Sequence, residues 1–273
     1  MKQNIENMTL KEKCYAYQHE YNYFLDEDKY IIIHIDGRCF SKLVKNKFDK
    51  PFDDNFIYIM DNTAKYLCEQ VSGVQMAYVQ SDEITLIIKR INPNGHVFFN
   101  GRLCKLQSII ASIATSKFNQ LMTLYKIYQL SYHKDPLYTI EKYIESAPLY
   151  QFDCKAWNVD TLNDVIAWIL FRNIDCVRNS KQELAQTFLS HKELQNLNSD
   201  EQIQLLDEKT SIDWHKLPYN KKYGRIILNK PKEMISDSGQ QYIRNIWEIT
   251  HGNDLTNQDN RINLFNELNS NML

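Results

Sequence analysis

Glycine and proline are scarce in this chain, at 7 and 6 of 273 residues, which argues against long flexible linkers. The six cysteines (Cys14, Cys39, Cys68, Cys104, Cys154 and Cys176) are widely spaced and form no CxxC pair. That spacing argues against a zinc site or a disulfide framework and favours a reducing compartment. No apolar stretch approaches the ~20 residues that span a bilayer, and the opening Met-Lys-Gln-Asn-Ile-Glu-Asn carries no apolar signal segment. The expectation is a soluble intracellular protein with no membrane partner. An excess of positive charge is also missing: 32 Lys and Arg against 34 Asp and Glu leave a net charge of −2. Any contact with nucleic acid must therefore come from a local patch rather than a global basic field.

The chain is long enough for one large domain, or one domain with an elaboration, around a sizeable core. It is 43% apolar, with 17 tyrosines and 12 phenylalanines. Residues 8–28 read as a helix and Tyr30 to Ile35 as a buried strand. Pro51 to Val71 has helical spacing, opened by Asp53 and Asp54 and ended by Gly73. Gln75 to Gln80 and Glu83 to Arg90 read as a hairpin whose connection carries Ser81-Asp82. Leu103 to Tyr128 reads as a long helix and Leu149 to Val159 as a strand. The order β-α-β-β-α-β is the ferredoxin-like plan, giving an α+β fold class on which palm domains are built. Residues 1–160 then form the core with its N-terminal helix. Residues 161–273 form a helical C-terminal elaboration containing one short strand at Arg225 to Leu228, a helix near Gln240 to Ile249 and a loose tail.

Two acidic motifs end strands of this plan. Ile31-Ile32-Ile33-His34-Ile35-Asp36-Gly37-Arg38 stops at one carboxylate, and Ala77-Tyr78-Val79-Gln80-Ser81-Asp82-Glu83 stops at another. Either alone fits a turn that closes a strand. The pair, brought side by side by the topology, makes an oxygen-rich, partly open site of the kind magnesium prefers. Glu83 should point away from Asp82 and act as a supporting or structural group rather than a third ligand. The backbone of Gly37-Arg38-Cys39-Phe40-Ser41 suits an anion nest for a triphosphate, and Lys50 can add a point charge or be an ordinary surface lysine. Residues 216–232 hold six basic residues and no acid, with Tyr219 and Tyr223 interleaved among Lys221, Lys222 and Arg225. This mix suits an RNA backbone, or equally a solvated basic edge. Arg172 and Asp175 can pair at i,i+3, and His34 either reaches the site or is a satisfied core residue.

Three ordered segments, Ile35-Asp36-Gly37-Arg38-Cys39-Phe40, Phe48-Asp49-Lys50-Pro51-Phe52-Asp53 and Ala77-Tyr78-Val79-Gln80-Ser81-Asp82-Glu83, resemble the tRNA-His guanylyltransferase superfamily. Further matches are Phe152-Asp153, Trp168 with Arg172, Asp175-Cys176, Arg178-Asn179-Ser180, Ser190 to Leu194, and Lys222 with Gly224. The resemblance implies a palm-like fold and nucleotide addition in the 3′-to-5′ direction at a tRNA 5′ end. It implies two Mg2+ ions on Asp36, Asp82 and the Gly37 carbonyl. Nucleotide phosphates would be held by Gly37, Arg38, Cys39, Phe40, Lys50 and Ser81. RNA would be held by Arg178, Asn179, Lys221, Lys222 and Arg225. GTP and other nucleoside triphosphates would be substrates, with ATP or an existing triphosphate activating the 5′ end. A homotetramer and a cytoplasmic location, with mitochondrial action left open, are carried over with it.

Where enzymes that add the extra guanosine to histidine tRNA carry H-I-N-N-L-Y-N after an aspartate-cysteine pair, this chain has Val177-Arg178-Asn179-Ser180-Lys181. That is similar to the guanylyltransferase-like proteins, which repair truncated tRNA 5′ ends against a template. Val79 also replaces the family's glycine before Gln-Ser-Asp. The expected function is templated 5′-end repair. The alternatives are non-templated guanosine addition to histidine tRNA, a nucleotide cyclase on the same palm, and a non-catalytic RNA-binding module.

Overall fold

In the computed structural model, which describes residues 8–132, 136–236 and 239–272, long apolar runs become strands buried on both faces. β1 (Tyr30–Gly37), β2 (Val74–Gln80) and β3 (Glu83–Ile88) are the centre of a six-stranded sheet ordered β4-β1-β3-β2-β5-β6, antiparallel throughout. β4 spans Phe152–Val159, β5 Arg225–Ile235 and β6 Gln241–His251. The inner four strands, β4-β1-β3-β2, are the ferredoxin-like arrangement expected of an α+β palm.

Alternation divides β1 between two cores. Ile31, Ile33 and Ile35 face one way, with Val79, Ile84 and Leu86. They pack under α2 (Phe40–Lys47), α3 (Asp54–Gln70) and α4 (Leu103–Leu130) through Phe40, Phe56, Leu67, Ile110 and Phe118. Ile32 faces the other way with Met76, Tyr78 and Ile87, beneath α6 (Leu162–Phe188) and α10 (Gln258–Asn271). Each such side chain contributes about 1.5–3 kcal/mol of burial, so a one-residue slip of β1 is strongly disfavoured. A third cluster, including Leu184, Leu206 and Trp214, joins the end of α6 to α8 (Ser199–Thr210). The remaining helices are α1 (Leu10–His19), α5 (Pro136–Ser146), α7 (His191–Leu194) and α9 (Tyr219–Lys222).

Four expectations need correction, the first being the opening helix, which spans only Leu10–His19 rather than residues 8–28. The stretch near Gln240 to Ile249 is not a helix but β6, paired residue for residue with β5 from Arg225↔His251 to Ile235↔Gln241. Its Tyr242, Ile243, Ile246, Trp247, Ile249 and Thr250 are β-branched or aromatic, and a sheet edge rewards them more than a helix does. The short strand expected at Arg225 to Leu228 accordingly runs on to Ile235, so the elaboration after residue 160 is not merely helical but adds two strands to the core sheet. The tail is not loose: α10 buries Leu264 and Leu268 against the second core. α2 and α5 also lie where no helix was expected. All six cysteines are free, and among the described residues no helix is long and apolar enough to cross a membrane.

Candidate active site

Asp36 is the last side chain of β1 before Gly37, and the register sets it between two more carboxylates. Glu83 on β3 lies opposite it on one side and Asp153 on β4 on the other. Ser81 and Asp82 form the β2–β3 turn, where Ser81 adopts a positive φ of 43° and its hydroxyl donates to Asp82 Oδ1 at 3.0 Å. Gly37 is where the two motifs meet. A Cβ there would fall 2.6 Å from the Phe40 ring and 2.9 Å from Asp82 Oδ2, so only glycine lets Asp82 approach β1 this closely.

The electrostatics record the crowding. Burial, then the Glu83 and Asp153 charges, push the Asp36 carboxyl above its ordinary range. Burial chiefly, with Asp36 and Glu83 adding to it and the Ser81 hydroxyl opposing, pushes Asp82 up to about 6. Glu83 is held by partners within the fold: Arg172 on α6 pairs with it at 3.0 Å and Gln80 Nε2 donates to it at 2.9 Å. Arg172 also pairs with Asp175, which takes Arg178 at 2.8 Å. Glu83 is thus a buttress tying the strand to α6. His34, one step up the same face, is buried against Trp168 and lies 3.5 Å from the Thr85 hydroxyl; burial lowers its pKa.

Asp36 and Asp82 are left with hard oxygen donors and no cation opposite them, a donor set that fits magnesium. Among the described residues no group of three or more His, Cys, Asp and Glu makes a closed metal cage. The open set suits an ion that completes its shell with phosphate and water.

A helix start suited to an anion adjoins the carboxylates. Cys39 has a φ of 60° and opens α2 without a side-chain cap or an acid in the first turn. The Lys42 N–H donates to the Cys39 carbonyl at 3.3 Å, and the Phe40 and Ser41 N–H groups ahead of it remain available to an anion beside Gly37. Arg38 donates to Gln151 Oε1 at 2.9 Å and is exposed. Lys50 is exposed at the Lys50-Pro51 bond ahead of α3, whose N-cap is Asp53. On the far side of α2 a cavity is lined by Val44, Phe52, Asp53, Phe56, Ser81, Asn179 and Lys221, with Gln80 and Arg225 among the residues that close it. Phe52 too has a positive φ, 60°. Two of the strained non-glycine residues, Phe52 and Ser81, thus line this cavity, and a third, Cys39, opens α2 beside it. Gln80 Oε1 and Arg225 Nη2 are buried with no hydrogen-bond partner.

Of the residues expected to hold RNA, Arg178 and Asn179 are exposed on α6. Two others are corrected. Lys222 is 5% exposed, donates to the His215 carbonyl at 2.7 Å and sits over the rings of Trp214, Tyr219 and Tyr223. Arg225 is 5% exposed and donates to Asp61 Oδ1 on α3 at 2.7 Å. Neither presents its charge to an RNA backbone. Lys221 is half-withdrawn, paired with Asp54 at 2.9 Å. Asn173 was missed by sequence reasoning: fully buried, it donates to the carbonyls of Tyr223 and Asn253, both at 3.1 Å, and accepts from Leu255 N–H at 3.0 Å. Its partners, these backbone groups and the Tyr78 hydroxyl at 3.3 Å, lie far away in the chain, and no sequence signal exists for them.

The model of the family Thg1, tRNAHis guanylyltransferase, matches residues 13–160, which hold both strand-end acids. An uncharacterised protein of Acanthamoeba polyphaga mimivirus is 29% identical over 235 residues, covering 82% of this chain and 78% of its own length. The tRNA(His) guanylyltransferase of Debaryomyces hansenii is 30% identical over 167 residues, covering 61% of this chain and 57% of its own. Among solved structures, a bacterial Thg1-like protein in complex with ATP superposes with a TM-score of 0.77 at 27% identity, covering 94% of this chain and 98% of that one. With a palm-ordered sheet, paired acids at its strand ends and a match over more than half its length, the chain belongs to the tRNAHis guanylyltransferase family of nucleotidyltransferases.

Proposed function

We propose that the protein restores missing nucleotides at the 5′ end of tRNA, working in the 3′-to-5′ direction and matching each addition to the opposite strand. The observation that carries the templated reading is the Arg178-Asn179-Ser180 segment. It puts Asn179 in the cavity wall and ties Ser180 to the Trp214 indole at 3.0 Å, in the segment where histidine-tRNA enzymes carry H-I-N-N-L-Y-N. The extent of the likeness to a bacterial Thg1-like protein supports it.

In this reading Asp36 and Asp82, with the Gly37 carbonyl, hold two magnesium ions. When bound, these ions lower the pKa of the attacking hydroxyl and neutralise the triphosphate. The Phe40 and Ser41 N–H groups at the start of α2, with Ser81 and Lys50, hold nucleotide phosphates. The cavity takes the base of a nucleoside triphosphate between Val44 and Phe52, where Gln80 and Arg225 carry the unpartnered polar atoms that a base edge satisfies. ATP activates the tRNA 5′ end, or a triphosphate already present does so. The 3′-hydroxyl of GTP or another incoming nucleotide then attacks the 5′ α-phosphorus, expelling AMP or pyrophosphate. The chain supplies no side-chain nucleophile, and positioning and charge carry the step.

Incubation with Mg2+ and all four nucleoside triphosphates tests this on two RNAs, one tRNA lacking its first nucleotides and one full-length histidine tRNA lacking the extra guanosine. Addition to the truncated tRNA should follow the complement of the opposite strand. A single guanosine added only to histidine tRNA, whatever base lies opposite, would establish the non-templated activity instead.

A further inference from the structure

The reaction proposed above has two substrates, a nucleotide and an RNA 5′ end, and both must reach Asp36 and Asp82. α2 stands between two openings at this end of the sheet. Val44 lines the cavity already described. Lys42, Leu43 and Lys47 line a second, open cleft of about 390 Å3, together with Arg38, Cys39 and residues Pro148 to Gln151 of the α5–β4 connection.

This cleft adjoins the strand end that carries Asp36. The Arg38 N–H donates to the Gln151 carbonyl at 2.9 Å. Arg38 follows Asp36 and Gly37, while Gln151 lies two residues before Asp153, the register partner of Asp36. Three cations line the cleft and no Asp or Glu does. Arg38, Lys42 and Lys47 form no ion pair among the described residues. The cations of residues 219–225, by contrast, are each engaged within the fold. Pro148, Leu149, which is 78% exposed, and Tyr150 form an apolar ledge along the cationic wall. Cations beside flat apolar faces are how proteins grip a strand of nucleic acid, phosphates on one side and base or sugar faces on the other.

We propose that the cleft between α2 and the α5–β4 connection binds the backbone of the RNA's 5′-terminal strand and leads its end to Asp36 and Asp82. Lys42 and Lys47, rather than the basic stretch 216–232, then carry the electrostatic part of RNA binding. The inference rests on the function proposed above. A free nucleotide offers phosphates too, but the uncapped start of α2 and the cavity on its other side already provide for it.

The test is the double variant Lys42→Gln, Lys47→Gln in the full chain. The charge-matched control is Lys11→Gln, Lys105→Gln, two exposed lysines elsewhere. Binding of a 5′-truncated tRNA is measured across salt concentrations, and KM for GTP is measured at saturating RNA. The slope of log affinity against log salt should become shallower by about 2, with roughly a tenfold or greater loss of affinity at low salt. KM for GTP and the control's slope should not move. A slope equal to the control's, or a raised KM for GTP with RNA binding intact, overturns the proposal. Wild-type binding without extension, lost in the double variant, would leave the cleft standing and remove the catalytic reading. Wild-type protein that binds no tRNA removes both.

Discussion

Two groups of charged residues treat their charge in opposite ways. At the strand ends Asp36 and Asp82 face each other, Glu83 and Asp153, and both have raised pKa values. In residues 219–225 every cation has been given a partner, Asp54 for Lys221, a carbonyl and three rings for Lys222, and Asp61 for Arg225, whose Nη2 alone stays unpartnered at the cavity. Charge left unopposed marks where a ligand completes the structure, and charge answered within the fold marks where the structure completes itself.

The contrast is sharpest in what neutral substitutions should do. Asp36→Asn or Asp82→Asn should lower nucleotide addition by ~10^3-fold or more, because divalent-ion stabilisation of phosphoryl transfer is worth several kcal/mol. Binding of tRNA should persist and the metal-free protein should melt no lower than wild type, since a repelling charge has been removed. Either variant retaining full single-turnover activity would break the metal assignment. Asp61→Asn should do the reverse, costing about 3–5 kcal/mol in urea unfolding by leaving Arg225 buried and unpaired. A loss below about 1 kcal/mol would mean that the pair is not the buried anchor described.

Acidity separates the groups next. Asp82 keeps its proton in the folded state up to about pH 6, whereas an unfolded aspartate releases its proton near ~3.9. Between those values the native state binds more protons than the unfolded chain, so this group's contribution falls as pH rises through the window. The loss is on the order of 3 kcal/mol and is complete about one pH unit above the folded-state pKa. Urea midpoints in EDTA at pH 4.5 and 7 should show this component in wild type and not in Asp82→Asn. An identical pH dependence in the two would show that Asp82 is not strained.

The smaller effects belong to the lysines. Lys222→Met should cost ~1 kcal/mol through the lost carbonyl bond and ring contacts, and the salt slope of tRNA binding should stay unchanged. A shallower slope would return Lys222 to the RNA surface. Lys221→Gln, which breaks the pair with Asp54, should alter stability by less than about 0.5 kcal/mol.

Much of the catalytic end was legible because it is written locally. Asp36-Gly37 and Ser81-Asp82 each end a strand recognisable from its own apolar run, and the β-α-β-β-α-β order sets those strands side by side. β6 was misread because Gln240 to Ile249 is polar enough for either state, and only pairing with β5 decides between them. Lys222 and Arg225 were misplaced because burial of a cation depends on partners such as Asp61, Trp214 and the His215 carbonyl, which composition does not bring together.

The amino-acid sequence by itself determined the order of elements, the two strand-end acids and the glycine between them, since each follows from short-range spacing and backbone sterics. Only the tertiary structure decided which charges are spent. Neutralisation is a matter of which side chains meet across the sheet and helices. Those meetings bury Lys222 and Arg225, turn Glu83 into a buttress, and leave Asp36, Asp82 and the Arg38–Lys42–Lys47 cleft open to what the protein binds.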